Sequence, residues 1–431
     1  MFGAQTPANS PPKLEPVKLA MNRRLAIVLV LGVAGVVHVA AENWPAWRGP
    51  RGDGTSLETN LPVRWSATSN VAWKVEVPGT GHASPIVWGD RVFTVSAVAE
   101  TEERVLFCFD RASGKALWQR AVIQSPFERK HPLNSFASST PSSDGERVFT
   151  AFLDVHDVVV SAHDFAGRQR WQVRPGQFSS MHGFCSSPVL YQDKVIVNCD
   201  HDGNGYIVAL ARSDGHDLWR IARPNHTRSY CTPTIFEAGG RTQMVLSGTL
   251  CVTGYDPRDG KLLWIIDGPT EQFVASIVFN RRANLFFMTG GFPDHHLLAI
   301  RPDGTGDITQ THIAWRHSRA SYVSYVPSPI AEGDYFLVVS DPGYACCFEA
   351  ATGKLMWQEK LGEHHASLVS AEGLVYFLSD EGVTTVVKPG PTFAAVARNE
   401  IGEKCFASPA ISQGQIFLRS DRHLWCIGAG R

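Results

Sequence analysis

A phrase returns eight times along this chain, and only a fold built from eight similar units accommodates it. The phrase is Ser or Thr, usually before Pro, a run of strand formers, a Gly-Asp-type turn, a second strand and Asp-x-x-x-Gly-Lys-x-x-Trp. Its opening falls at Ser84-Pro85, Thr140-Pro141, Ser187-Pro188, Thr232-Pro233, Ala275-Ser276, Ser328-Pro329, Ala366-Ser367 and Ser408-Pro409. Its ending is complete at Asp110, Gly114, Lys115 and Trp118 and at Asp256, Gly260, Lys261 and Trp264. It is nearly so from Glu349 to Trp357 and degraded at Trp171, Trp219 and Trp315. A unit of about 40 to 55 residues matches four short strands, the blade of a propeller.

The strand runs, such as Val195-Ile196-Val197 and Leu374-Val375-Tyr376-Phe377-Leu378, are apolar at consecutive positions. Both faces of such a strand need cover, as in a sheet stacked between two others. The eighth unit ends after Gln415–Leu418 and His423–Ile427, one strand short. The missing strand stands at the other end of the chain, around Asn70–Val77 with Trp73. Pairing the two ends closes the ring and removes a free sheet edge. The expected fold is therefore all-β: an eight-bladed propeller of four-stranded antiparallel blades, closed by an N-terminal strand.

The Asp-x-x-x-Gly-Lys-x-x-Trp element resembles the tryptophan-docking motif of the pyrroloquinoline-quinone (PQQ) type propeller repeat, and Trp47 to Gly54 with Leu61-Pro62 is similar to the start of an exported subgroup. The resemblance spans about residues 44 to 431 and implies that Trp73, Trp118, Trp171, Trp219, Trp264, Trp315 and Trp357 each pack on a neighbouring blade's turn. It also implies two kinds of relative. One is a scaffold, the propeller subunit of the outer-membrane β-barrel assembly machinery. The other is a quinoprotein dehydrogenase with PQQ and calcium in the central funnel, a stacked Trp, a catalytic Asp and a disulfide between adjacent cysteines.

Ahead of the repeats, Met21-Asn22-Arg23-Arg24 is basic, Leu25 to Val37 is apolar and Val39-Ala40-Ala41 is small. That order reads as a signal peptide over residues 21–41, cleaved near Ala41, with an uncleaved anchor as the alternative. Residues 1–20 read as a polar tail or a mis-assigned start, 42–64 as an N-terminal extension and 65–431 as the propeller. The expected location is periplasmic or secreted. Forty basic and 41 acidic side chains leave a net charge of −1, which gives no electrostatic pull toward nucleic acid or anionic lipid.

Catalytic signatures are sparse. No G-x-S-x-G elbow, H-E-x-x-H helix or Walker loop occurs. Nine cysteines are scattered without a CxxC, and Cys346-Cys347 falls inside a strand, where adjacent side chains point to opposite faces. A disulfide there is not expected. Asp200-His201-Asp202-Gly203-Asn204-Gly205 starts like a calcium loop, but its twelfth position is Ala211, so it reads as a hairpin turn.

Histidines form the one polar pattern that the repeat does not require. They stand before the innermost strands at His82, His131, His182, His226 and the pair His364-His365. The site expected from them is a channel mouth carrying His82, His182, His226 and His364, with Arg228 and Glu271 nearby, suited to a polar partner or a metal ion. The plain alternative is a set of solvated loop histidines. The function expected is a non-catalytic scaffold, monomeric, binding a protein, peptide or glycan partner. It needs no cofactor and touches a membrane only if residues 21–41 are retained; a PQQ- and calcium-dependent dehydrogenase is the alternative.

Overall fold

The computed structural model describes residues 1–3, 12–13, 42–223 and 225–428. The signal segment expected at 21–41 lies outside them. Contacts divide the chain into Met1–His38 and Val39–Arg431, and the second unit is the propeller. Among the described residues no helix is long and apolar enough to cross a membrane.

Eight antiparallel sheets follow one another along the chain. Blade 1 runs outward from the channel as Ile86–Trp88, Arg91–Val98, Glu103–Asp110 and Ala116–Gln124. Blades 2 to 7 open at Ser142, Val189, Thr234, Val278, Ile330 and Val369. Blade 8 takes Ala410–Ser412, Gln415–Arg419 and His423–Ile427 from the C-terminal end and Val71–Glu76 from the N-terminal end. In that closure Trp73 lies opposite Cys426, Lys74 opposite Trp425 and Val75 opposite Leu424. The second and third strands are buried on both faces, as at Val195, Ile196 and Val197, all 0% exposed. Each such side chain contributes about 2 kcal/mol by leaving water, which a blade without neighbours would forgo.

Two belts tie the blades together. In the outer belt, six of the seven tryptophans donate from Nε1 to a carbonyl of the next blade. Trp73 reaches Arg111, Trp118 Phe165, Trp171 Arg212, Trp219 Pro257, Trp315 Ala350 and Trp357 Gly390, at 2.8 to 3.3 Å. Glycine is required beneath them: at Gly114, φ is +72° and a Cβ would come within 2.7 Å of the Trp73 ring. Trp264 departs from the pattern implied by the resemblance. Its Nε1 donates to Gln243 of its own blade, because the following connection in blade 5 is lengthened and sets Gly306–Asp307 parallel against the Trp264 strand.

In the inner belt, the Ser or Thr that opens one unit accepts the backbone N–H of its counterpart in the preceding unit. Ser84 donates to Thr140, Thr140 to Ser187, Ser187 to Thr232, Ser276 to Ser328, Ser328 to Ser367 and Ser367 to Ser408, at 2.9 to 3.1 Å. The opening element of the repeat is thus a hydroxyl collar around the channel. Cys346 packs with Phe287, Phe336 and Phe348 on one face of blade 6, and Cys347 with Trp357 and Phe377 on the other. Both thiols are free.

The extension at 42–64 enters the ring. Thr55–Ser56 adds a parallel fifth strand to the inner edge of blade 7, against Ser370 and Ala371. Trp44 bridges Val87 of blade 1, and the Pro45 carbonyl accepts the Ser143 N–H of blade 2. Arg48, 2% exposed, donates to the carbonyls of Ser328, Pro329 and Leu368 in blades 6 and 7 and to that of Asp53. One short segment therefore touches blades on both sides of the axis and plugs the channel.

Candidate functional site at the channel mouth

The plug gives the channel a floor. Above it lies a cavity of about 540 Å³, and below it a smaller one of about 170 Å³ lined by Pro50, Arg51 and Leu190. Trp47, Ser187 and Thr232 border both, and of these Trp47 is the residue the plug contributes. Hydroxyls of the inner belt, among them Ser187, Thr232, Ser367 and Ser408, line the larger cavity. Its upper wall carries His82, His131, His182, Tyr230, Asp341 and His365 with Phe406. All come from the segments before innermost strands or from hairpins on the same face, where a propeller's short loops converge on its axis.

Two groups of rings line the mouth. On one side His82 stacks on Phe406 with centroids 4.7 Å apart, and His365 meets the same ring at 5.5 Å. Burial, with the charge of His365 nearby, pushes the His82 imidazole down to about 4. Burial acts on His365 in the same direction, but the hydrogen bond its Nδ1 donates to Asp380 at 2.7 Å and the charges of Asp380, Asp341 and Glu363 outweigh it and raise its pKa. On the other side His131 and His182 lie 5.4 Å apart, and His182 Nδ1 is 2.7 Å from the Tyr230 hydroxyl. Burial, then the neighbouring His131, lowers His182. Asp341 accepts the backbone N–H groups of Tyr325 and Val326, yet burial raises its carboxyl. The wall thus sets imidazoles shifted in opposite directions and a buried carboxyl within an aromatic frame.

The structure brings His82 and His182 to this wall and places the other two expected histidines elsewhere. His226 hydrogen-bonds the Gly203 carbonyl outside the cavity lining. His364 is buried at 1% exposure, bonds the Gly362 carbonyl and packs edge-on to Phe377. It is the next residue, His365, that faces the cavity. Arg228 and Glu271 are partners of each other at 3.8 Å, with Asp202 at 2.5 Å from Arg228. Asp200 of the calcium-like turn is buried against Arg223 at 2.9 Å, which occupies its carboxylate. Among the described residues no three His, Cys, Asp or Glu side chains are grouped to hold a metal ion.

Sequence reasoning missed Trp47, Asp341, Phe406 and Tyr230 as wall residues. Tyr230 and Asp341 stand in positions equivalent to other loop residues, and only their convergence distinguishes them. Trp47 had a signal in its dense Trp-Arg-Gly-Pro-Arg-Gly-Asp-Gly setting, where so many turn formers in succession demand a tight, fixed path.

A family model described as outer membrane protein assembly factor BamB matches residues 101–284 and 306–390, more than half of the chain. The chain belongs to this family of PQQ-like propellers. No curated protein matches the sequence. Among solved structures, BamB from Moraxella catarrhalis superposes with a TM-score of 0.61 at 13% identity, covering 83% of this chain and 97% of that one. Quinohemoprotein alcohol dehydrogenase from Comamonas testosteroni gives 0.63 at 11%, covering 90% and 81%. A europium-containing methanol dehydrogenase gives 0.54 at 11%, covering 88% and 89%. The PQQ-like fold is thus shared by an assembly factor and by dehydrogenases, and at these identities the likeness concerns the fold alone.

Proposed function

We propose that this PQQ-like propeller is an exported, non-catalytic, monomeric scaffold that holds a segment of a protein partner at its mouth. The observation that carries the reading is the one-ended cavity over Trp47, aromatic and apolar with a few polar groups converging on it. Around the same face Leu133, Met181 and Phe292 stand 52%, 51% and 58% exposed at loop tips. A floor, an aromatic wall and an apolar rim suit side chains of a peptide segment. The His365–Asp380 pair has the look of an acid-base dyad, but among the described residues no serine, threonine or cysteine side chain hydrogen-bonds to His365, so a nucleophile is lacking.

The dehydrogenase reading fits the lining poorly. PQQ is a tricarboxylate, and the cavity lining contains Asp341 and Glu363 but no lysine or arginine. Cys346 and Cys347 lie inside blade 6, away from the cavity. A photo-crosslinking residue placed at position 133, compared with one at Leu218 on an outer strand, tests the scaffold. A discrete protein adduct from position 133 alone supports it. Equal adducts from both positions, or dye reduction by purified protein given PQQ, calcium and an alcohol, would overturn it.

A further inference from the structure

Every polar group of Glu42, the first residue of the propeller unit to be described, is held. Its carboxylate takes two bonds from Arg51, at 2.6 and 3.0 Å, and the Leu57 N–H at 2.8 Å. Its carbonyl accepts the Ser412 hydroxyl of blade 8 at 2.6 Å. Its backbone nitrogen donates to Oε1 of Glu58. Glu58 is 7% exposed, and its other oxygen accepts the Gly414 N–H at 3.0 Å. Both of these contacts to the Glu58 carboxylate come from backbone N–H groups. Backbone N–H groups replace only part of the hydration that burial removes from a carboxylate, so a positive charge in direct contact with it is favourable.

The nitrogen already in contact with it is that of the residue following Val39-Ala40-Ala41, the small-residue run at which an export endopeptidase cuts. We infer that cleavage of the Ala41–Glu42 bond is a maturation step that completes the fold, because it turns the Glu42 amide into an ammonium ion paired with buried Glu58. In the hydrolysis, water adds to the Ala41 carbonyl carbon and the C–N bond breaks. Ala41 leaves as a carboxylate, and the Glu42 nitrogen gains protons and becomes –NH₃⁺. No electron transfer is involved. Where the amide offered one hydrogen and no net charge, the ammonium offers three hydrogens and a positive charge to the same acceptor. The ion pair fastens the start of the plug to blade 8, next to the closure of the ring. The inference rests on export cleavage and is independent of what binds at the mouth.

The test uses the full chain expressed in an exporting bacterial host. Intact mass and N-terminal sequencing of the exported protein should give Glu42 as the first residue. A free α-amino group has a pKa of about 7.7 to 8.0, and pairing with Glu58 raises it in the folded protein. Its stabilisation is then complete below about pH 8 and lost as pH rises through the raised value. The melting-temperature gap between the exported parent and Glu58→Gln should be widest near pH 7 and close by about pH 10. If Glu58→Gln does not fold, the α-amino pKa of the parent is read directly by NMR and should exceed 8. A different first residue, a gap that does not vary with pH, or an ordinary α-amino pKa would overturn the inference.

Discussion

Arg48 does more for the plug than any other side chain. Its guanidinium, removed from water, donates to four carbonyls of which three belong to residues about 280 to 320 positions later in the chain. Burial lowers its pKa to about 10, leaving it charged at neutral pH. Replacing it with Met leaves buried acceptors unpaired and should cost about 3 kcal/mol, read as a lower denaturation midpoint with blade strands intact by circular dichroism. A midpoint within error of the parent would contradict this role. His82 makes a pH prediction. Its folded pKa of about 4 lies below the unfolded value of about 6.5, so the unfolded chain binds the proton first. Stability should fall as pH drops from about 6.5 to 4, by about 3 kcal/mol at most for this group. His163, also pushed down to about 4 by burial in blade 2, adds to the same limb. His82→Gln should flatten the slope, and His82→Gln with His163→Gln should flatten it further. His365 works in the opposite sense: its raised pKa stabilises below about pH 6.5 and the effect fades as pH rises through the folded value.

At the scale of the element, the tryptophan belt predicts a graded mutational series. Trp171→Ala removes a largely buried ring and its bond to blade 3 and should cost about 3 to 5 kcal/mol. Trp264→Ala should cost as much, since that ring is fully buried, but it should be rescued in part by changes at Gln243, which would not help any of the other six. The strand faces make a chemical prediction as well. All nine cysteines are free, so denatured, unreduced protein should yield nine reactive thiols; seven would reveal a disulfide. These elements were legible in the sequence because the repeat states them eight times. Even the absence of a docking tryptophan from blade 7, where Ala397 takes the place, has a local reason: the blade 8 it would meet is split between the two chain ends there, and Trp65 instead stacks on Tyr376 and takes Asn399 as its partner. Which of His364 and His365 faces the channel was not legible, because both sit in a turn without the period-2 alternation of a strand. The inner hydroxyl collar was visible only as a recurring Ser/Thr-Pro; its links join residues some 40 to 55 positions apart, and nothing local shows them.

For the whole molecule, the plug changes what the propeller can do. A ring of eight blades leaves an open tube along its axis; with residues 44–56 inside, it becomes a cup with an indole floor and a histidine-lined rim. The sequence marked this segment as a motif but could not place it, since Arg48, Thr55 and Glu58 all find partners more than 270 residues away. The cup links ring closure to site formation: removing residues 42–64 should both lower the melting temperature and open the channel from below. Amide hydrogen exchange of residues 44–56 in the intact protein tests this most directly. Trp44 N–H bonds to Val87, Gly54 N–H to Arg48, and Gly54 carbonyl holds the Ser370 N–H. The plugged propeller predicts that these amides are protected to the same degree as the inner strands of blades 1 and 7. Exchange at the rate of a free peptide would show that the segment lies outside the channel and that the cavity has no floor.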